Sequence, residues 1–348
     1  VPRLRWVTVA GLLVVLLASP TLARATLTFV RQPLHPVVWV ARDNGKGARE
    51  FAAGTNPHVS PDGRTIVYSP ASRGGSGSEL AVAPVDRTAP PRQLLANWRE
   101  PYVFDWSPDS STIAVLRGPE LGRRTLVLID VASGAQNAVA QGYFSRVSFA
   151  PDGGRLVYGR SVSERFPPRS DIYRFDVPIG EAVRYVPPVR LTDDHRSTGP
   201  LWGPNGKIAF VKLVGAKHRR FGPKNELYLM DEAGKQVRRL THTKVEPLLQ
   251  GLYPTAWSGN GKRLLAEFEG QDTTYAVTVN PRTGAQRPLI KATEQGFLGW
   301  DLSPDGKLVL GQTGGFEPGA GNDVATVPYR GGKPNVLAKN AFEPSWSR

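Results

Sequence analysis

The side chains that could do chemistry are few. His35, His58, His195, His218 and His242 are the only imidazoles in the 348 residues, and cysteine is absent. Thiolate nucleophiles, disulfide frameworks and Cys-ligated zinc are thereby excluded. No two histidines stand at His-x-His or helical spacing, so a metal centre built from neighbouring ligands is not expected. Asp62, Asp109, Asp152 and Asp305 recur in one short phrase. Carboxylates repeated in tight turns are turn formers, and calcium would need several oxygens converging on one point. No Gly-x-Ser-x-Gly elbow occurs, Gly74-Gly75-Ser76-Gly77-Ser78 reads as a flexible loop, and dinucleotide and P-loop glycine patterns are missing. The expectation is no catalytic residue, no metal and no cofactor.

What remains is positive charge. Lys and Arg number 44 against 30 Asp and Glu, a net charge of +14, which favours anionic partners. The charge gathers in segments 162–170, with Arg165 and Arg169, and 214–225, with Lys217, His218, Arg219, Arg220 and Lys224. Shorter connections carry Trp98, Arg99, His195, Arg196, His242 and Lys244. These residues are the candidate binding face, with Trp98, Phe166 and Phe221 as its loop aromatics.

The elements that must position this face follow from a repeat. One phrase recurs: HVSPDGRTIVYS from His58, FDWSPDSSTIAVLR from Phe104, VSFAPDGGRLVYGR from Val147, PLWGPNGKIAFVK from Pro200, TAWSGNGKRLLAEF from Thr255 and WDLSPDGKLVLGQ from Trp300. In each, an apolar strand enters a Pro-Asp-Gly turn or near equivalent and a second strand leaves it, a β-hairpin. Third strands are predicted over 80–85, 126–129, 172–175, 227–230, 276–279 and 324–327, and short fourth strands over segments such as 189–192 and 237–241. The turn positions lie 47, 43, 53, 55 and 45 residues apart, the size of a four-stranded propeller blade. Phe342 to Ser347 repeats a first strand without its turn, while 27–31, 37–41 and 48–51 read as second, third and fourth strands.

The expected fold is therefore all-β: a seven-bladed β-propeller of residues 26–348, four antiparallel strands per blade, its ring closed by the C-terminal strand pairing with N-terminal strands. The closing blade is shared by 26–53 and 341–348. Trp106, Trp202, Trp257 and Trp346, with Phe149, hold one repeat position and are expected to fill the space between blades. Strand alternation puts the basic segments on one face, with the fourth-to-first connections, and the Pro-Asp-Gly turns on the other.

The phrases Ser60-Pro61-Asp62-Gly63, Ser107-Pro108-Asp109 and Ser303-Pro304-Asp305-Gly306, with the fourth-strand endings Arg190-Leu191-Thr192 and Arg239-Leu240-Thr241, resemble the WD-like repeat of the TolB-type β-propellers. The resemblance covers the chain from Thr26 onward and implies an exported propeller whose face makes protein contacts in the cell envelope. TolB itself differs in having six blades and an N-terminal α/β domain. Similar propellers precede α/β-hydrolase domains in prolyl oligopeptidase-like enzymes, but no hydrolase half is read here. The oligogalacturonate lyases hold a metal with several channel histidines, a pattern these five histidines do not reproduce.

Arg3 and Arg5 precede an apolar run from Trp6 to Ala18, too short to span a bilayer, and Ala23 and Ala25 fit a cleavage site before Thr26. Residues 1–25 are predicted to be a signal peptide, leaving no stable transmembrane anchor and a net charge of +11 once Arg3, Arg5 and Arg24 are gone. Val1 in a chain whose one methionine is Met230 reads as a bacterial start codon. The expected protein is an exported monomer, periplasmic or extracellular. It acts as a non-catalytic scaffold whose partner is an envelope protein or anionic polymer and not nucleic acid. The alternative is a lyase or hydrolase acting on an anionic polysaccharide.

Overall fold

The computed structural model describes residues 25–32, 34–71, 79–96, 102–118, 122–161, 169–177, 186–215, 223–243, 251–270, 274–290, 296–314 and 321–347. Every named element among them is a β-strand. The first array contains β1 (Thr26–Arg31), β2 (Val37–Arg42) and the first half of β3 (Arg49–Val59), antiparallel with Leu27 opposite Ala41 and Val38 opposite Ala52. From Gly54 on, β3 pairs instead with β4 (Thr65–Pro70), followed by β5 (Leu80–Pro84) and β6 (Arg92–Leu95). Next come β7 (Tyr102–Trp106), β8 (Thr112–Arg117), β9 (Arg124–Asp130) and the first half of β10 (Gln136–Phe149). The second half of β10 leads β11 (Arg155–Ser161), β12 (Ser170–Asp176) and β13 (Val189–Arg190).

The pattern continues in β14 (Ser197–Trp202), β15 (Lys207–Val214), β16 (Lys224–Asp231) and β17 (Arg238–Arg239). It recurs in β18 (Gly251–Trp257), β19 (Leu264–Glu269), β20 (Thr274–Val279) and β21 (Gln286–Pro288), and in β22 (Phe297–Leu302), β23 (Leu308–Thr313), β24 (Val324–Pro328) and β25 (Asn335–Ala338). The last strand, β26 (Ala341–Trp346), pairs antiparallel with β1, Leu27 opposite Trp346. Because β3 and β10 each serve two arrays, hydrogen bonding merges arrays into two seven-stranded sheets; an eight-stranded and a four-stranded sheet hold the rest.

The hairpin turns form for the local reason the repeat implies. Gly63, Gly153, Gly206, Gly261 and Gly306 take φ of 65° to 72°, and Ser110 adopts 63° where the second copy lacks glycine. The preceding carboxylate fastens the turn: Ser60 Oγ donates to Asp62 Oδ1 at 2.6 Å while Arg64 N donates to the same oxygen at 3.0 Å, and Ser107–Asp109 and Ser303–Asp305 repeat this. These hydrogen bonds, with Lys307 alongside, hold the Asp305 carboxyl down to about 2. The repeated aspartates are turn formers.

Each array buries both faces. Along β19, Leu264, Ala266 and Phe268 join a cluster with Leu201 and Val211, whereas Leu265 joins one with Phe297, Leu302 and Val309. The recurring ring caps five of the interfaces, and Val59 and Leu302 take its position at the other two. Trp106, at 7% exposure, packs with Val67 and Leu80; Phe149 with Ala114 and Leu116; Trp202 with Val157 and Ile172; Trp257 with Leu201; and Trp346 with Leu310 and Val324. The expected spacer role of these aromatics is what the packing displays.

The fourth strands are shorter than predicted, and the cause is a side chain. Ile172 N donates to Thr192 Oγ1 and Leu227 N to Thr241 Oγ1, both at 2.9 Å, so a hydroxyl replaces the next backbone acceptor and the ladder stops. Deleting 341–347 removes the buried Ala341, Phe342 and Trp346 and bares the β1 edge. At about 1.5–3 kcal/mol for each large buried side chain, the loss is on the order of 5 kcal/mol. The truncated chain is expected to melt roughly 10 °C lower by circular dichroism, or without a cooperative transition. An unchanged melt would show that β26 carries no such load.

Candidate functional site

Apart from one parallel bridge from Gly251 of β18 to Asn225 of β16, the first strand of an array meets no strand of a neighbouring array on its outlying edge among the described residues, and its N–H groups must be satisfied otherwise. Neighbouring side chains do it. Val59 N donates to Ser345 Oγ at 3.3 Å, Phe149 N to Asp105 Oδ2 at 2.9 Å and Trp202 N to Ser148 Oγ at 3.1 Å. The acceptor is each time the residue before the recurring aromatic slot. Each of these strands also carries a register shift, between Thr55 and His58, Val103 and Asp105, Phe144 and Val147, Thr198 and Leu201, Pro254 and Ala256, Gly299 and Asp301, and on β26 between Phe342 and Ser345. A bulge re-aims a side chain that a regular pleat would bury. Asn56, Arg146, Thr255, Trp300 and Glu343 all fall in these bulges and all line one cavity of about 190 Å³, whose walls come from β3, β7, β10, β14, β18, β22 and β26.

The cavity is lined by polar and apolar side chains in similar measure and has one open aromatic face. Trp300 is 38% exposed, unlike the buried tryptophans of the repeat position. Burial raises the Glu343 carboxyl above its ordinary range, opposed by the Asn56 N–H that donates to its Oε2 at 2.8 Å. His58 is enclosed by protein, and desolvation lowers it to about 4, leaving a neutral imidazole. Arg146 donates to the carbonyls of Pro254 at 2.9 Å and Thr255 at 2.7 Å. Beside it, Glu267 is pushed up to about 8 by burial and then by the Glu269 carboxylate, with Arg146 acting in the opposite sense; its Oε1 is buried without a hydrogen-bond partner. Tyr253, opposite Glu267 in the ladder, rises to about 12 through burial and Glu269.

On the loop side, two buried carboxylates organise the roots of the basic segments. Asp171 Oδ2 lies 2.7 Å from Arg190 Nη2 and 2.8 Å from His195 Nδ1, and its Oδ1 accepts from His195 N at 3.0 Å. Glu226 occupies the equivalent place: Lys224 Nζ and Arg239 Nη2 each stand 3.1 Å from Oε1, and Thr241 Oγ1 donates to Oε2 at 2.5 Å. The Arg-Leu-Thr endings thus supply the arginine and the hydroxyl of both clamps. His195 reaches Asp171 with φ at 56°, a left-handed conformation a non-glycine residue adopts at some cost.

Of the expected binding face, Trp98, Arg99, Arg165, Lys217, His218, Arg219, Arg220 and Lys244 lie outside the described residues, as do Phe166 and Phe221. Arg169 and His242 are exposed, and Arg196 is half-buried with its backbone bridged to Ser170. Lys224 and His195 are committed to Glu226 and Asp171, so a count of basic residues overstates the charge this face presents. His195 and His242 share no hydrogen bond or ion pair among the described residues. No cluster of three His, Asp or Glu suited to a metal ion occurs among those residues.

The cavity residues were not singled out from sequence. One signal was present: Trp300 is two positions out of phase with the other repeat tryptophans, and an aromatic outside the spacer slot has to go elsewhere.

No family model and no curated protein matches the chain. Solved structures do. TolB from Acinetobacter baumannii aligns with a TM-score of 0.51 at 16% identity over 93% of this chain and 83% of its own. The β-propeller domain of the Trilobed protease from Pyrococcus furiosus aligns with a TM-score of 0.63 at 13% identity, over 91% and 95%. An oligogalacturonate lyase in complex with manganese aligns with a TM-score of 0.57 at 17% identity, over 90% and 84%. The fold is a TolB-like β-propeller. At these identities the likeness extends to the fold and no further.

The buried Glu267 makes stability depend on pH. A carboxyl whose folded pKa is raised contributes fully below its unfolded value of 4.5, and that contribution is lost as pH rises through about 8. Glu267→Gln is therefore expected to melt several degrees above the parent at pH about 9, on the order of a few kcal/mol, and near it at pH about 4. Equal thermal midpoints at both pH values would mean that Glu267 is solvated.

Proposed function

We propose that the chain is an exported, seven-bladed propeller of the bacterial cell envelope that binds an acidic partner through its loop face and performs no catalysis. Seven apolar clusters among the described residues support the blade count, one between each pair of successive arrays. The cluster uniting Leu27 and Phe29 with Leu310 and Val324 supports closure of the last array on the first, as does the β26–β1 ladder. The observation that carries the binding reading is the pair of carboxylate clamps at Asp171 and Glu226. A buried acid holding two cations rigidifies the base from which a basic loop projects, and a preorganised base lowers the ordering cost of binding.

The test is capture from envelope extract on the chain from Thr26, at low and raised salt. A protein partner is expected to be retained at low salt and released at about 0.5 M, where screening shrinks the Debye length to a few Å. Arg169→Glu combined with Arg196→Glu is expected to weaken retention roughly fivefold or more at low salt. Retention unaffected by both salt and charge reversal would overturn the reading.

A second reading, an enzyme acting on an anionic polysaccharide, is favoured by one feature. His195 holds Asp171 through Nδ1 and leaves Nε2 for other work, the orientation a general base needs. Depolymerisation of a polyuronide that is lost in His195→Ala would bring this reading forward. Its absence, with capture of a protein partner, supports the binding module.

A further inference from the structure

The cavity carries charge of both signs on separated walls. In the seven-array order, which rests on the propeller reading above, β10 with Arg146 lies three arrays from β26 with Glu343 and three from β22 with Trp300 and Asp301. Glu343 and Trp300 therefore flank one wall while Arg146 belongs to the wall across from it. The spacer tryptophans Trp106 and Trp346 also line the cavity but are only 7% exposed, whereas Trp300 leaves 38% of its surface accessible there.

We infer that this cavity binds a small zwitterion, its ammonium group against the Trp300 ring and the Glu343 carboxylate and its anionic group directed to Arg146. Each part excludes an alternative. A simple anion would meet Asp105, Asp301 and Glu343 in the same cavity, and a simple cation would meet the Arg146 guanidinium. An aromatic face beside a carboxylate is the chemistry that holds ammonium groups, and a guanidinium is the partner of carboxylates. His58 stays neutral and adds no charge. The volume of about 190 Å³ falls below the roughly 300–1,000 Å³ of drug-sized sites and sets the occupant at amino-acid size.

The test is calorimetric titration of the full-length chain with L-proline and glycine betaine, and with tetramethylammonium and acetate as the two halves of betaine. At least one zwitterion is expected to bind saturably, with each half about tenfold or more weaker, the loss of roughly 1.4 kcal/mol of contact. Glu343→Gln and Trp300→Ala are each expected to weaken the zwitterion by a similar factor, and Trp300→Phe, which keeps an aromatic face, to weaken it less. Matching thermal melts would show that the variants remain folded. Failure of both zwitterions to bind overturns the inference, as does tetramethylammonium or acetate binding as well as the zwitterion, or Trp300→Ala binding like the parent. The protein with Arg169→Glu and Arg196→Glu separates the two sites: partner capture lost with zwitterion binding retained supports both readings, zwitterion binding retained with capture unaffected leaves only this inference, and zwitterion binding lost overturns it.

Discussion

Everything in this molecule depends on the packing of one array against the next through side chains that alternate along every strand. A residue pointing up joins one cluster and its neighbour pointing down joins another, so Leu264 and Leu265, adjacent in sequence, belong to different interfaces. With both faces buried, no array has a solvated side to spare, and the large ring at the end of five of the first strands, β7, β10, β14, β18 and β26, sets the distance between neighbours there. The turns, clamps and cavity are consequences of holding the arrays at that distance.

The parts of the fold legible in the sequence are those set by local chemistry. Ser-Pro-Asp-Gly marks its turn because the serine, the carboxylate and the glycine satisfy each other within six residues. The third strands begin where alternation resumes after a loop. Less legible was the continuity of β3 and β10 through two arrays, because nothing in a short polar connection tells whether hydrogen bonding lapses within it. The early end of the fourth strands was hidden because Thr192 and Thr241 look like ordinary strand residues until their hydroxyls replace a backbone acceptor.

The candidate sites were hidden for a different reason. Asp171 and Glu226 stand at strand positions that read as polar and outward, yet each is buried and holds cations that a charge count assigns to the surface. The bulges leave no trace in a single strand, because a register shift is a relation between two strands. Arg146 and Glu343 pass as surface residues in sequence, and it is the extra residue in the first strand of each array that turns them into the cavity.

The pairing of β26 with β1 reaches beyond the finished fold. Thr26 N donates to Ser347 Oγ at 2.9 Å across 321 residues of chain. Closing a loop of that length costs roughly 5 kcal/mol in chain entropy before any contact forms. The strand that pairs with β1 follows every other described strand in the chain, so the edge of β1 stays uncovered while the strands between them are made. The first array is therefore completed by the described strand farthest from it in sequence. Until then the edge of β1 is the one in need of protection, which makes it the natural handle for a chaperone and the natural seed for strand exchange between two copies.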